Sequence, residues 1–179
     1  MDTKKLVLMA LLVAVGAALY LVIPGYNGGM KPDFMLTMMF IGIFLFPDVR
    51  SVFLLAASTG VISGLFSTFP LGFLPNIIDK LITAFVIFAV IVTFKKIANN
   101  LAGATVIVGL GTLLSGAIFL SVAIFILGVN IPGLVSPFTA LYVSVVLPAV
   151  ALNGVTFFIV LPIVKKLLIR SSIKTAVSN

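Results

Sequence analysis

Apolar residues run almost unbroken through six stretches, at roughly 6 to 23, 33 to 46, 51 to 66, 76 to 94, 103 to 127 and 138 to 164, and Pro, Gly or charge separates them. None of the stretches alternates with a period of two, and each is long enough for a helix, so the expected architecture is all-α. At about 1.5 Å per residue, a bilayer core near 30 Å asks for about 20 residues. By that measure the second and third runs are short and the sixth is long, which predicts a bundle of six transmembrane helices with an indented face. The whole chain, 1–179, reads as a single transmembrane domain. The first run follows Lys4 and Lys5 as a signal peptide would, but it leads into Pro24-Gly25-Tyr26 without a small-x-small cleavage pattern, so it is expected to be a retained helix.

Composition makes lipid the solvent. Of the 179 residues, 62% are hydrophobic and 8% charged, with a mean hydropathy of +1.39. A soluble domain, near half apolar and about a quarter charged, has too little interior to hide so many large side chains. The net charge of +7 then changes meaning. Threaded alternately through a membrane, the chain places Lys4, Lys5, Arg50, Lys95, Lys96, Lys165, Lys166, Arg170 and Lys174 on one side, and Lys31 and Lys80 on the other. That bias predicts both termini in the cytoplasm and an even number of spans. It explains the basic residues without nucleic acid.

The connections are as uneven as the charges. Those on the basic side (47 to 50 and 95 to 102) are short, whereas those opposite (24 to 32, 67 to 75 and 128 to 137) are longer and contain six of the nine prolines. Non-helical backbone at a membrane face is tolerated where it covers protein or lines a cavity, so the outer face is the expected binding face.

Chemistry narrows next. There is no Cys, no His and no Glu, which removes thiolate chemistry and leaves no imidazole to ligate a metal or shuttle protons. No cofactor is implied. An intramembrane enzyme would have to be built on Asp, Lys, Ser and Tyr, with Asp33 and Asp79 as a conceivable dyad. A pore would need polar stripes along several helices, and the first, third and fifth runs lack them. The chain is therefore not expected to be an enzyme.

Polar groups at membrane depth are costly and point to sites. One cluster is Lys31-Pro32-Asp33 at the start of the second run, and another is Asn76, Asp79 and Lys80 at the start of the fourth. A carboxylate suits a helix N-terminus, but a cation there does not, so Lys80 is expected to meet an acid or an anionic ligand group. In the sixth run Pro148 removes a donor and Asn153-Gly154 is a poor helical pair. A kink there would turn Asn153 and Tyr142 inward. Lys31, Asp33, Asn76, Asp79, Lys80, Tyr142 and Asn153 together suit a zwitterion, with Phe66, Phe69, Phe73, Tyr20, Tyr26 and Tyr142 as candidate aromatic walls.

Small residues recur four apart as Ala10, Ala14 and Ala18 in the first run and Ala56, Gly60 and Gly64 in the third. The fifth run pairs Gly111 with Ser115 and Thr112 with Gly116. Such stripes let helices approach closely in lipid, either within the chain or against a separate membrane partner.

The run Gly28-Gly29-Met30-Lys31-Pro32-Asp33-Phe34-Met35-Leu36, continuing through Met38-Met39-Phe40 to Phe46-Pro47, resembles the tryptophan transport protein family of Gram-positive bacteria. The start Lys5 to Leu11, the length, the six runs and the Lys95-Lys96 loop agree with it. That family looks like the substrate-binding S components of energy-coupling factor transporters. The resemblance implies tryptophan uptake across a bacterial cell membrane, with the stripe of Ala10, Ala14 and Ala18 docking a transmembrane coupling subunit that carries two ATPase subunits. The chain itself has no phosphate-binding loop. Another aromatic nutrient or a vitamin, or a stand-alone ion-coupled carrier, remains open at this point.

Overall fold

A computed structural model describes residues 2–22, 24, 33–133 and 136–170; for 169 and 170 it describes the backbone alone. Among these residues every regular element is helical and none is a strand. The elements are α1 (Thr3–Val22), α2 (Phe34–Leu45), α3 (Val49–Leu65), α4 (Phe73–Thr93), the short α5 (Lys95–Asn99), α6 (Leu101–Leu120), α7 (Pro137–Leu141) and α8 (Leu147–Arg170). Wider π-type turns prolong α6 through Ser121–Ile126 and join α7 to α8 through Tyr142–Val146. Four helical stretches, Thr3–Val22, Phe73–Thr93, Leu101–Ile126 and Pro137–Leu168, are long and apolar enough to cross a membrane, and α2 and α3 are shorter apolar helices.

The observed helices differ from the expected runs at their ends: α1 begins at Thr3, α8 continues to Arg170, and the expected connection 95 to 102 contains α5. α4 begins at Phe73, three residues before the expected start, because Pro75 sits within its first turn, where a missing N–H costs nothing. Lys80 therefore lies about two turns inside the helix instead of at its mouth.

α2 is the axis of the bundle. Every residue from Met35 to Leu45 is buried, and α1, α3, α4, α6 and α8 all pack on it. A helix apolar all round has no face for water and belongs inside. The outer helices turn large apolar side chains outward, such as Leu11, Val106 and Phe125, as a lipid environment requires.

The small-residue stripes divide into two uses. Gly60 and Gly64 let α3 and α4 touch backbone to backbone: a Cβ on Gly60 would stand 3.0 Å from Ile77 Cα, and one on Gly64 would stand 2.9 Å from the Phe73 carbonyl oxygen. Gly16 likewise admits Met35 Cα, and Gly111 admits Ile87 and Phe40. Ala10, Ala14 and Ala18 are different, since they lie on the exposed side of α1. Ala10 and Ala14 form part of a shallow apolar groove against Leu54, Ser58 and Ile62 of α3; Ala18 lies outside it.

The two ends of the bundle are chemically unlike. Lys4, Lys5, Arg50, Lys95, Lys96, Lys165 and Lys166 all belong to helix ends at one extremity, where Lys5 pairs with Asp48, the N-cap of α3, and lies 5.1 Å from the centre of the Phe46 ring. At the other extremity the sole described cation is Lys80.

Candidate functional site

The polar positions of five elements converge near that second extremity. Asp33 caps α2, with its Oδ1 accepting from Leu36 N–H at 3.1 Å, as an N-terminal carboxylate should. Its other oxygen lies 2.5 Å from Lys80 Nζ. Lys80 also donates to Asp79 Oδ2 at 2.6 Å. Asp79 is shut away from solvent and is held by two more donors, Thr83 Oγ1 at 2.9 Å and Ser115 Oγ at 2.8 Å from α6. Neighbouring residues on a helix do not normally face each other; here both 79 and 80 bend toward the gap between α4, α2 and α6, where the cation sits between two carboxylates.

Physical necessity explains the crowding. A buried ammonium or carboxylate is tolerable only when paired and hydrogen-bonded, and Lys80, at 2% exposure, has both acids in reach. Two carboxyl groups thus share one ammonium. Asp33 is the one that remains partly open, with 18% of its side chain exposed.

A cleft is lined by this cluster and by Tyr20, Asn76, Thr112, Ser115 and Asn153. Asn76 donates from Nδ2 to the Gly72 carbonyl at 2.7 Å. The apolar wall is aromatic on one side, where Phe69 and Phe119 meet edge to face at 5.3 Å, and aliphatic on the other, where Val145, Val146 and Ala149 descend from the π turn into α8.

Local sequence puts these walls in place. Phe69 is held by a tight turn in which its N–H meets Ser67 Oγ at 3.3 Å and its carbonyl accepts from Gly72 N–H at 3.0 Å. A Cβ at Gly72 would collide with Ser67 Oγ at 2.1 Å, so the turn needs glycine. Gly116 plays the same part on α6, since a Cβ there would meet Val146 at 2.5 Å. The irregular turn expected at Pro148 and Asn153-Gly154 lies earlier, at Tyr142–Val146, where Leu147 N–H reaches back to the Tyr142 carbonyl. Pro148 follows that turn directly. It has no N–H to give and its ring crowds the carbonyl four residues back, so the widened turn relieves it. Asn153 sits in regular helix beyond.

Of the residues singled out in the sequence, Asp33, Asn76, Asp79, Lys80 and Asn153 are brought to one cleft. Tyr142 is not among its lining: its hydroxyl donates to the Leu113 carbonyl at 3.1 Å and its ring stacks on Phe138. Lys31 and Tyr26 lie outside the described residues. Among the proposed walls Tyr20 and Phe69 line the cleft, whereas Phe66 and Phe73 are each 45% exposed. Sequence reasoning did not identify Thr112, Ser115 and Phe119 as lining. Thr112 and Ser115 read as small packing residues, although hydroxyls three apart on an apolar helix share one face, and that spacing was the available signal.

A mostly apolar helical bundle with a buried ion cluster opening to a cleft at one end defines a multi-pass membrane protein with a polar-and-aromatic cleft. The chain belongs to the tryptophan transporter family: residues 2–169 match the family described as "Tryptophan transporter TrpP". It is 49% identical over 176 residues to a "Probable tryptophan transport protein" of Bacillus subtilis (strain 168), covering 98% of this chain and 99% of that one. A protein of the same description from Clostridium acetobutylicum is 39% identical over 170 residues, 93% and 94% of the two chains. A third, from Clostridium perfringens (strain 13 / Type A), is 36% identical over 183 residues, 96% and 97%. No solved structure matches.

Proposed function

We propose that the cleft binds tryptophan for uptake, with its mouth on the outer side of a bacterial cell membrane and the basic extremity in the cytoplasm. The observation that carries this reading is the Asp33–Lys80–Asp79 cluster set beside the aromatic pair Phe69 and Phe119. A free amino acid with a flat apolar side chain needs both halves. Its ammonium suits Asp33, the accessible carboxylate of the cluster. Its carboxylate suits Lys80, which has spent two of its three donors on the acids, and the second N–H of Asn76. The indole ring then lies against the aromatic wall, where offset and edge-on ring contacts are favoured. Lys31, two residues before Asp33, belongs to the same proposed site.

In this reading the chain is one transmembrane domain of six spans, α7 and α8 forming the last with the π turn between them, and both termini are cytoplasmic. The positive-inside bias supports that orientation, since the basic ends of α1, α3, α5 and α8 gather at one extremity. We further propose that the chain is the substrate-specific component of an energy-coupling factor type transporter. A coupling subunit bearing two ATPases would dock on the exposed Ala10, Ala14 and Ala18 side of α1, whose small side chains let another helix approach.

Tryptophan binding to the purified chain tests the substrate. The protein has no Trp of its own, so ligand fluorescence is read without background. Saturable binding that riboflavin, phenylalanine and tyrosine displace poorly is the expected result. Absence of binding, or equal displacement by riboflavin, would overturn it.

A further inference from the structure

We infer that Asn153 is the residue that distinguishes tryptophan from aromatic amino acids whose rings carry no hydrogen-bond donor, its Oδ1 accepting the hydrogen bond of the indole N–H, and that Thr112 holds the amide in the orientation this needs. The inference rests on the tryptophan reading above and deepens it.

Asn153 is fully buried at the cleft lining, on α8 across from α6. Its Nδ2 donates to Thr112 Oγ1 at 3.3 Å. Which end of an amide faces a partner is decided by the network around it. Thr112 has one hydroxyl proton, and it is committed to the Val108 carbonyl at 2.9 Å, the usual back-bond of a helical threonine. What Thr112 has left is lone pairs. The Asn153 group facing it must therefore be the donor NH₂, and Oδ1 must point elsewhere. That oxygen has no hydrogen-bond partner.

A buried acceptor without a donor is costly, and such groups are uncommon unless something supplies the missing bond. Since the amide lines the cleft, the ligand is the natural source. Thr37, Ser51 and Thr59 also carry unpartnered hydroxyls, but none of them lines this cleft. Tryptophan offers one side-chain donor, the ring N–H, and phenylalanine offers none. Placement agrees. Ser115, which reaches the charged cluster through Asp79, and Thr112, which orients Asn153, are one turn apart on α6, about 5 Å along the helix. That spacing is comparable to the separation between an amino-acid head group and the indole nitrogen of the same molecule.

The test measures affinity for tryptophan, for 1-methyltryptophan and for benzothienylalanine, in which sulfur replaces the ring N–H with little change of shape. Three proteins are used: wild type, Asn153→Leu and Thr112→Val. The wild type is expected to bind tryptophan on the order of ten- to a hundredfold more tightly than benzothienylalanine, the range set by stranding a buried acceptor. Asn153→Leu is expected to lose that preference while still binding benzothienylalanine, which also certifies its fold. Thr112→Val, which frees the amide to rotate, is expected to weaken the preference, read as the ratio of the two affinities within that variant. Equal wild-type affinities would mean that water satisfies Oδ1, and would overturn the inference while leaving tryptophan binding intact. A preference that survives in Asn153→Leu would overturn it too. A wild type that binds neither compound would instead sink the reading of the site on which it rests. Should Asn153→Leu not fold, Thr112→Val and the wild-type comparison still decide.

Discussion

Lys80 Nζ stands 2.5 Å from Asp33 Oδ2, tying a point two turns inside α4 to the N-cap of α2. Because α2 is the axis on which the other long helices pack, this contact couples the mouth of the cleft to the core. It also holds a cation in the interior of the bundle, a cost offset by the two carboxylates around it.

Replacing Lys80 by Met strands Asp79 in the interior. Breaking a buried pair from one side costs about 3–5 kcal/mol, whereas removing both charges is often nearly neutral. Thermal unfolding in detergent should therefore show a large loss for Lys80→Met and partial recovery in Lys80→Met/Asp79→Asn. No recovery in the double variant would mean that the charges themselves hold the bundle.

Gly64 should not tolerate a side chain. A Cβ there meets the Phe73 backbone, which cannot move aside as a flexible side chain can. Gly64→Val is expected to cost about 1–3 kcal/mol through overpacking, while Ala10→Leu, on the exposed side of α1, should stay within about 0.5 kcal/mol of wild type. Denaturation midpoints compare the two directly, and equal losses would contradict the division of labour between the stripes.

Much of this was legible in the sequence because lipid makes the signals coarse. Apolar run length gave the helices, and polar residues at membrane depth gave five of the sixteen residues that line the cleft: Asp33, Asn76, Asp79, Lys80 and Asn153 are conspicuous in a chain with 8% charge. Tyr142 was nominated for the same reason and is satisfied elsewhere, by the Leu113 carbonyl; residue type cannot tell which way a helix turns its side chain. Thr112 and Ser115 were hidden because small hydroxyl residues serve helix packing equally well. The start of α4 was hidden by Pro75, which reads as an interruption and is in fact an N-terminal residue of the helix.

The groove beside α1 bears on the proposed coupling. Ala14→Leu adds bulk to an exposed face and leaves the cleft untouched. The expected result is unchanged tryptophan binding by the isolated chain, with ATP-dependent uptake by vesicles containing the coupling subunits reduced at least about tenfold, in line with the packing dependence of helix association in lipid. Uptake that is unaffected, or that proceeds without those subunits, would contradict the docking role.

Acid should loosen the basic extremity. Burial pulls the Asp48 carboxyl upward, but the hydrogen bonds from Lys5 and Ser51 outweigh it and hold it below the ordinary carboxylate value. A group whose folded value is depressed contributes stability above its unfolded value, near pH 4, and loses it as pH falls through the folded one. Because Asp48 is about half exposed, the ion pair is worth at most about 1 kcal/mol. Asp48→Asn, which keeps the helix cap, should remove that acid sensitivity at little cost, whereas Asp48→Ala should lose about 1 kcal/mol more with the cap. Unfolding curves between pH 3 and 7 separate the two.

The most direct measurement is calorimetric titration of tryptophan into the wild type and into Asp33→Asn in lipid nanodiscs. Asp33 is the accessible acid of the cluster, and the substitution removes its charge while keeping its shape and its cap on α2. Saturable one-to-one binding by the wild type, weakened at least about tenfold in Asp33→Asn, is the expected result, as a lost charge-assisted hydrogen bond to the substrate ammonium requires. Equal affinities in the two proteins, or no binding by the wild type, would contradict the assignment of this cleft to tryptophan.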